Sequence, residues 1–397
     1  MRKVYLDHSA TTPVRPEVAE LVLRYMTDTF GNPSSVHGFG REARKGVEEA
    51  RERVASLINA DPREIVFTSG GTEADNLAIK GVALANRKKG RHIITSAIEH
   101  HAVLHTCEFL EKEGYEVTVL GVDSEGLVSP EDLRAAIRDD TVLVSIMMAN
   151  NEVGAIQPIK ELAAIARERG VYFHTDAVQA VGQVKVDVEE LGVDLLSLSG
   201  HKIYGPKGVG ALYVRRGTKI KPIAHGGGHE RRMRAGTENV PGIVGLGLAA
   251  KLAQEELEDR RRHLLKLRDK LIEGILDRVE DVRLNGPREE RLPNNVNISF
   301  AYVEGESILL NLDLQGIAAS SGSACTSGSL EPSHVLLAMG IPHELAHGSV
   351  RMSLGTGNSE EDIDYVLEVL PSIIERLRSM SPLVGGRGEE KLQHVQR

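Results

Sequence analysis

The chain has 397 residues and a formal net charge of −9; 41% of its residues are hydrophobic, but only two are cysteines. Two cysteines cannot build a disulfide framework or a Cys-x-x-Cys metal clamp, so we expect a reducing, cytoplasmic setting, and the negative charge argues against a nucleic-acid-binding protein. No apolar run reaches about 18 residues and no basic-then-apolar leader is evident, which argues against membrane insertion and secretion.

Residues 61–216 alternate between strand and helix patterns. In chain order, the seven strand-like runs are IVFTS, HIITSAI, EVTVLGV, VLVSIMM, VYFHT, LLSLS and ALYV. Such alternation predicts a mainly parallel sheet with helices on both faces. From residue 241 onward, one long helical pattern leads into VRLNG, NVNISF, IAAS and SVRMS, with helices between and after them. The sequence therefore predicts a large α/β domain followed by a smaller α+β domain.

The first strand of the series leads into a turn suited to phosphate. EIVFTSGGTEADNLAIKG, residues 64–81, predicts a strand, a Gly-Gly turn and a helix that begins at Thr72. The free N–H groups and the dipole at such a helix end bind phosphate. On its own, the segment is equally compatible with an ordinary helix cap.

Two later strands end in titratable side chains. VYFHTDAVQ (171–179) carries Asp176 at its end, and SLSGHKIYGPKGVG (197–210) places Lys202 in a turn between two core strands. Partial burial lowers the pKa of a lysine and frees its amine to attack an aldehyde, and a carboxylate can pair with a pyridinium nitrogen. The order of turn, acid and lysine favours pyridoxal phosphate (PLP) chemistry. A solvated loop lysine and an ordinary strand-end acid are the simpler alternatives.

The two cysteines lie in contrasting surroundings. Cys107 falls in HAVLHTCEFLEKEG, whose helical spacing predicts a packed, inert thiol. Cys325 falls in SSGSACTSGS, where there is almost nothing to bury, so we expect an exposed, mobile segment with a reactive thiol. The alternative for Cys325 is the buried, inert thiol that is usual for free cysteine.

The run HELAH, residues 343–347, matches the HExxH zinc pattern. Pro342 precedes it, Gly348 and a strand pattern follow it, and the longer HExxHxxGxxH form is absent. We therefore expect no metal site in this run. His101 and His105, four residues apart, are interpreted as part of a helix surface.

Many segments match one known family. They are YLDHSATTPV, FGNPSSVH, FTSGGTEADNLAI, ANNEVGAIQPI, HTDAVQAVG, SGHKIYGPKGVGALYVR, GTENVPGIVG, SGSACTSGSLEPSHVLLAMG and VRMSLG. Over nearly its whole length the chain resembles the cysteine desulfurases of the NifS/IscS family, within the class V aminotransferase group of fold-type I PLP enzymes. The resemblance implies a large PLP-binding domain at 13–255 and a small α+β domain formed by 1–12 and 256–383. The composition of 384–397 predicts a disordered tail.

The resemblance also implies how the cofactor ring is held. Lys202 would bind PLP covalently as a Schiff base, and Asp176 would pair with the pyridine nitrogen. Gln179 would hydrogen-bond the ring hydroxyl. His100 would stack on the ring and serve as an acid or base.

By the same resemblance, other residues would bind the cofactor phosphate and the substrate. Thr237 would reach the phosphate from a second subunit of a homodimer. Asn151 would contact both cofactor and substrate, and Arg351 would grip the substrate carboxylate with its planar fork. The remaining phosphate contacts would come from Gly71, Thr72, Ser199 and His201.

The implied reaction converts L-cysteine to L-alanine and leaves a persulfide on Cys325. The implied acceptor is an iron-sulfur scaffold protein of the IscU type or another sulfur acceptor. Two of the three alternatives are also PLP enzymes: a selenocysteine lyase and another class V transaminase. The third, and least favoured, is a non-catalytic scaffold in which Cys325 is an iron-sulfur ligand.

Overall fold

The computed structural model describes residues 2–321 and 332–381. Cys325 and the predicted tail at 384–397 lie outside them. The helices are α1 Pro16–Thr27, α2 Gly38–Leu57, α3 Gly71–Asn86, α4 His101–Lys112, α5 Pro130–Ala136, α6 Ile159–Glu168, α7 Val188–Leu191, α8 Val240–Glu255, α9 Leu257–Arg278, α10 Gly305–Leu314, α11 His334–Ala338, α12 His343–His347 and α13 Glu360–Met380. The strands are β1 Val4–Tyr5, β2 Ile65–Thr68, β3 His92–Ser96, β4 Glu116–Leu120, β5 Thr141–Ser145, β6 Tyr172–Asp176, β7 Leu195–Ser199, β8 Gly210–Val214, β9 Val282–Leu284, β10 Asn295–Phe300, β11 Ile317–Ala318 and β12 Ser349–Ser353.

The central sheet has seven strands in the order β2-β8-β7-β6-β5-β3-β4. β8 is antiparallel to both of its neighbours, β2 and β7, and the other neighbouring pairs are parallel. Strands β2, β3, β5, β7 and β8 are buried along their whole length, as expected when helices cover both faces of a sheet. The predicted seven-stranded, mainly parallel α/β fold is confirmed.

Helices α2 and α8 belong to the same hydrophobic core as one face of this sheet. They approach so closely that a Cβ atom on Gly247 would lie 2.5 Å from the Cα of Ala50. Real Cβ atoms do not come this near to backbone, so glycine is what permits the contact. Within the described residues, no helix is long and apolar enough to cross a membrane.

A second core draws residues from both ends of the chain. It contains Leu6, Leu264, Phe300 and Ile363, all fully buried. Its antiparallel sheet has the strand order β12-β10-β9, and beside it β1 pairs in parallel with β11. The first strand of the chain is therefore held by residues more than 300 positions later. The exact domain boundaries stay a prediction.

The long helical pattern that begins near residue 241 forms two helices rather than one. Helix α8 ends at Glu255, α9 begins at Leu257, and Glu256 between them has φ −101° and ψ 1°. The Glu256 carboxylate accepts hydrogen bonds of 2.6 and 2.7 Å from Arg15 and one of 3.2 Å from Arg260. Helix α8 contributes to the core of the large sheet and α9 to the second core. The single-helix prediction is wrong because apolar periodicity does not register a break between two such cores.

Candidate active site

The turn between β2 and α3 forms a cradle of backbone N–H groups. Gly70 has φ 155° and ψ −175°, a conformation that is essentially restricted to glycine. Its carbonyl accepts a 3.0 Å hydrogen bond from the hydroxyl of Thr68. Helix α3 begins at Gly71, one residue before the predicted start at Thr72, so the N–H groups of both residues belong to the first turn. Such a helix end has the geometry and dipole that bind phosphate.

Ser199 lies beside this cradle, and His201 follows it two residues later. A Cβ atom on Gly71 would come within 2.7 Å of the Val178 side chain and 3.8 Å of the Ser199 Cβ, so only a small residue fits between them. His201 follows in a short 3₁₀ turn, Gly200–Lys202, and its Nδ1 lies 3.1 Å from the hydroxyl of Thr11. Burial, followed by the nearby Lys202 charge, lowers the pKa of His201 to about 4, so its imidazole is neutral.

Asp176 is a buried carboxylate at the end of β6, with 6% of its surface exposed. Its Oδ1 accepts a 2.9 Å hydrogen bond from the backbone N–H of Val178. Burial raises the pKa of Asp176 to about 6, although the Val178 bond and the Lys202 charge act in the opposite direction. An ionised carboxylate here is poised to pair with a buried cation.

Lys202 and Gln179 converge on the segment that follows β1. The Lys202 Nζ donates to the carbonyl of Ser9 and, at 2.8 Å, to that of Ala10. The Gln179 amide donates to the same Ser9 carbonyl at 3.0 Å. The structure therefore brings the predicted lysine and glutamine together, next to the end of the strand that bears Asp176.

His100 is the N-cap of α4, and its protonation follows from that position. Its Nδ1 accepts a 3.1 Å hydrogen bond from the backbone N–H of Ala102, so Nδ1 carries no proton. Burial, and then the positive charge of Lys202, lower the pKa of His100 to about 4. At neutral pH the ring is therefore neutral with its proton on Nε2, so the Nε2–H group is the donor of this ring.

Arg351 is a buried guanidinium on β12, with 2% of its surface exposed. Its Nη1 donates to the backbone carbonyl of Asn151 at 3.1 Å, and its Nη2 forms an ion pair with Asp7 at 2.8 Å. The two residues predicted to bind the substrate carboxylate are thus in contact. The planar guanidinium suits a carboxylate ligand.

These geometric features agree with the comparisons to known proteins. The chain matches the family described as "Aminotransferase class-V" over residues 4–366. It belongs to the class V aminotransferase family.

Relatives within this class V family carry a narrower name. "Cysteine desulfurase IscS" from Methanosarcina thermophila is 62% identical over 96% of this chain and 94% of its own length. A solved structure, "NIFS-LIKE PROTEIN", has a TM-score of 0.89 and 42% identity, covering 95% of this chain and 100% of that one. Another, "SspA in complex with cysteine", has a TM-score of 0.80 and 39% identity, covering 89% and 99%. The predicted membership of the cysteine desulfurases is confirmed.

The sequence predicts two further site residues, Thr237 and Cys325. Thr237 is exposed on the segment between β8 and α8. Cys325 lies outside the described residues. The other thiol, Cys107, is 3% exposed on α4, and burial raises its pKa to about 12, which makes it inert at neutral pH.

The histidine motifs form short-range ring contacts. HELAH forms a five-residue helix in which the rings of His343 and His347 lie 4.6 Å apart. The rings of His101 and His105 stack at 4.9 Å. Across residues 2–321 and 332–381, no group of three or more His, Cys, Asp or Glu side chains is placed to hold a metal ion.

Several residues contact the site although the sequence predicts no individual role for them. They are Asp7, Ser9, Ala10 and Thr11, which contact Arg351, Lys202, Gln179 and His201. The available signal was their position in YLDHSATTPV, one of the segments that carry the resemblance. That position indicates that the segment matters, but it does not predict which residues the segment contacts.

Proposed function

We propose that the chain binds PLP through Lys202, converts L-cysteine to L-alanine and collects the substrate sulfur as a persulfide on Cys325. The observation that carries this proposal is that Lys202 lies near enough to the buried Asp176 for its charge to lower the pKa of that carboxyl, while Gly71 faces Val178, two residues beyond Asp176. A lysine amine, a buried carboxylate and a phosphate cradle are the three groups that an aldehyde-bearing pyridine phosphate requires.

The residues fit PLP by size and by charge. Gly71 leaves room at the start of α3 that a side chain would fill, and Asp176 offers a buried carboxylate for a ring nitrogen. When bound, PLP supplies an electron sink that acidifies the substrate Cα–H and weakens the Cβ–Sγ bond. The class V family and the cysteine desulfurase relatives support the same cofactor.

Each side chain then has a definable task. Arg351, beside Asn151, binds the substrate carboxylate and so orients the Cα–H bond toward Lys202, whose freed amine takes the proton. His100 is neutral, so its Nε2–H can donate to the substrate sulfur without adding a charge. The low pKa also keeps His100 from protonating the thiolate that must attack.

Sulfur transfer balances without an external oxidant. The Cys325 sulfur attacks the substrate Sγ, an S–S bond forms and the Cβ–Sγ bond breaks. The electron pair of the broken bond goes to Cβ, which takes up a proton to become the methyl group of alanine. The transferred sulfur is oxidised and Cβ is reduced, leaving a persulfide on Cys325.

We further propose a cytoplasmic homodimer that passes sulfur to an iron-sulfur scaffold of the IscU type or to another acceptor. Five large apolar side chains between residues 23 and 39 are more than half exposed, which supports a second copy covering this surface. They are Leu23, Met26, Phe30, Val36 and Phe39. In that dimer, Thr237 would reach the phosphate of the partner.

The test is to incubate the PLP-loaded protein with L-cysteine and a reductant and to measure alanine and sulfide together. We expect equal, catalytic amounts of both products. Cys325→Ser should keep PLP binding and the cysteine-dependent change in absorbance but release essentially no sulfide. Sulfide release near the parental rate would refute the role of Cys325. Activity restricted to selenocysteine would favour a selenocysteine lyase instead.

A further inference from the structure

The two ends of the segment that carries Cys325 are attached to different parts of the site. Upstream, the backbones of Ser320 and Arg351 exchange two hydrogen bonds, of 3.0 and 2.6 Å. Downstream, Ser333 is the N-cap of helix α11 and His334 is the first residue of that helix.

The downstream attachment is a buried hydrogen bond between Ser333 and Glu152. The Ser333 hydroxyl donates to the Glu152 carboxylate, and the two residues are 4% and 3% exposed. The same Ser333 oxygen accepts the backbone N–H of Val335 at 3.1 Å, which caps α11. The next residue, His334, donates from Nε2 to the carbonyl of Glu99 at 3.1 Å, immediately before His100.

Glu152 is itself rigidly held on the turn that carries the substrate-binding Asn151. Its backbone N–H donates to the Asn150 side chain at 2.9 Å. Its carbonyl accepts 3.0 Å hydrogen bonds from the side chains of Asn295 and Asn297 on β10. A side chain attached to so fixed a backbone can locate its partner precisely in space.

The charge of Glu152 argues that it has a purpose beyond filling space. Burial raises the pKa of its carboxyl, while the Ser333 hydroxyl, His334 and Arg351 lower it. A buried carboxyl is costly to keep, and an apolar side chain would avoid that cost. Glu152 follows Asn151 in the chain, lies near Arg351 and accepts a hydrogen bond from Ser333, the N-cap of α11.

We propose that Glu152 is a positioning residue for the sulfur-transfer step. Through Ser333 it fixes the downstream end of the Cys325-bearing segment on the same turn that contacts Arg351. The inference rests on the proposed function of Cys325. It assigns to Glu152 no part in binding PLP and no part in removing the Cα proton.

The test separates the two phases of one turnover. Holoenzyme is mixed with L-cysteine, the change in cofactor absorbance is followed by stopped flow, and persulfide on Cys325 is quantified by alkylation and mass spectrometry. Glu152→Ala should slow persulfide formation roughly tenfold or more, because a small misplacement of reacting groups has effects of that size. The absorbance change should keep its parental rate. Glu152→Gln should restore persulfide formation, since its amide oxygen can still accept from Ser333.

Ser333→Ala is the second variant and decides the matter if Glu152→Ala does not fold. Ser333→Thr retains the hydroxyl and should behave like the parent. The matched control is Glu131→Ala, which breaks an exposed Ser–Glu pair with a 3.2 Å hydrogen bond from Ser129. It should change neither phase.

Three results would count against these ideas, and they differ from one another. Parental persulfide rates in both Glu152→Ala and Ser333→Ala would overturn the positioning role. Equal slowing of both phases would also overturn it, by assigning Glu152 to substrate binding. Absence of persulfide on Cys325 in the parent would instead refute the proposed function.

Discussion

Replacing Asp176 by asparagine should make the cofactor-free protein more stable while it weakens cofactor binding. Burial raises the pKa of Asp176 from 3.8 to about 6. A carboxyl with a raised folded-state pKa costs stability above that pH, and the cost disappears as the pH falls toward its unfolded value. This rise in the pKa of Asp176 corresponds to about 3 kcal/mol at pH 8, and to about half of that at pH 5. The asparagine amide would keep an acceptor oxygen for the Val178 N–H, so packing should change little.

Urea unfolding of cofactor-free parent and Asp176→Asn at pH 8 and pH 5 checks this prediction, at one protein concentration because subunit association contributes to stability. The variant should be more stable by about 3 kcal/mol at pH 8, with a smaller advantage at pH 5. Asp139→Asn, at an exposed position, is the control and should change nothing. Fluorescence titration with PLP should show weaker binding by Asp176→Asn. Lower stability of this variant at pH 8 would refute the reasoning.

Three further predictions concern other parts of the molecule. Glu230→Ala removes the bidentate partner of Arg51, whose side chain is only 6% exposed, and should cost about 3–5 kcal/mol in urea unfolding; a loss below about 1 kcal/mol would contradict it. Arg351→Lys cannot reproduce a planar fork, so we expect KM for L-cysteine to rise about tenfold with PLP affinity unchanged, and an unchanged KM would argue against its role. Gly247→Val must force α8 away from Ala50 and should cost about 1–3 kcal/mol in stability, and an unaltered Tm would exclude that packing account.

The sheet could be predicted from the sequence because each of its strands has a recognisable pattern within a few consecutive residues. β5 is buried along its whole length, and its three consecutive apolar residues, Val142, Leu143 and Val144, show the lack of alternation that such burial produces. The turn at Gly70 and the helix that follows it could also be predicted, because turn glycines and helical periodicity are visible within a short stretch of sequence.

The contacts that complete the site could not be predicted from short stretches of sequence. The ion pair between Asp7 and Arg351 joins positions 344 apart, and Lys202 reaches Ser9 across 193 positions. Ser333 and Glu152 likewise pair across 181 positions. No spacing rule connects such residues, because only the folded backbone brings them together. The resemblance pointed to Lys202 and Arg351, but their partners required the structure.

The pairing of β1 with β11 has a consequence for how the enzyme matures. Residues 7–11 contact Lys202, His201 and Arg351, and they follow directly after β1. β1 pairs with Ile317 and Ala318, which are synthesised more than 300 residues later. During synthesis the central sheet emerges from the ribosome long before these partners exist. A chain that ends before residue 317 therefore has no partner for β1, and the contacts of residues 9–11 with Gln179, His201 and Lys202 lose the strand pairing that supports them.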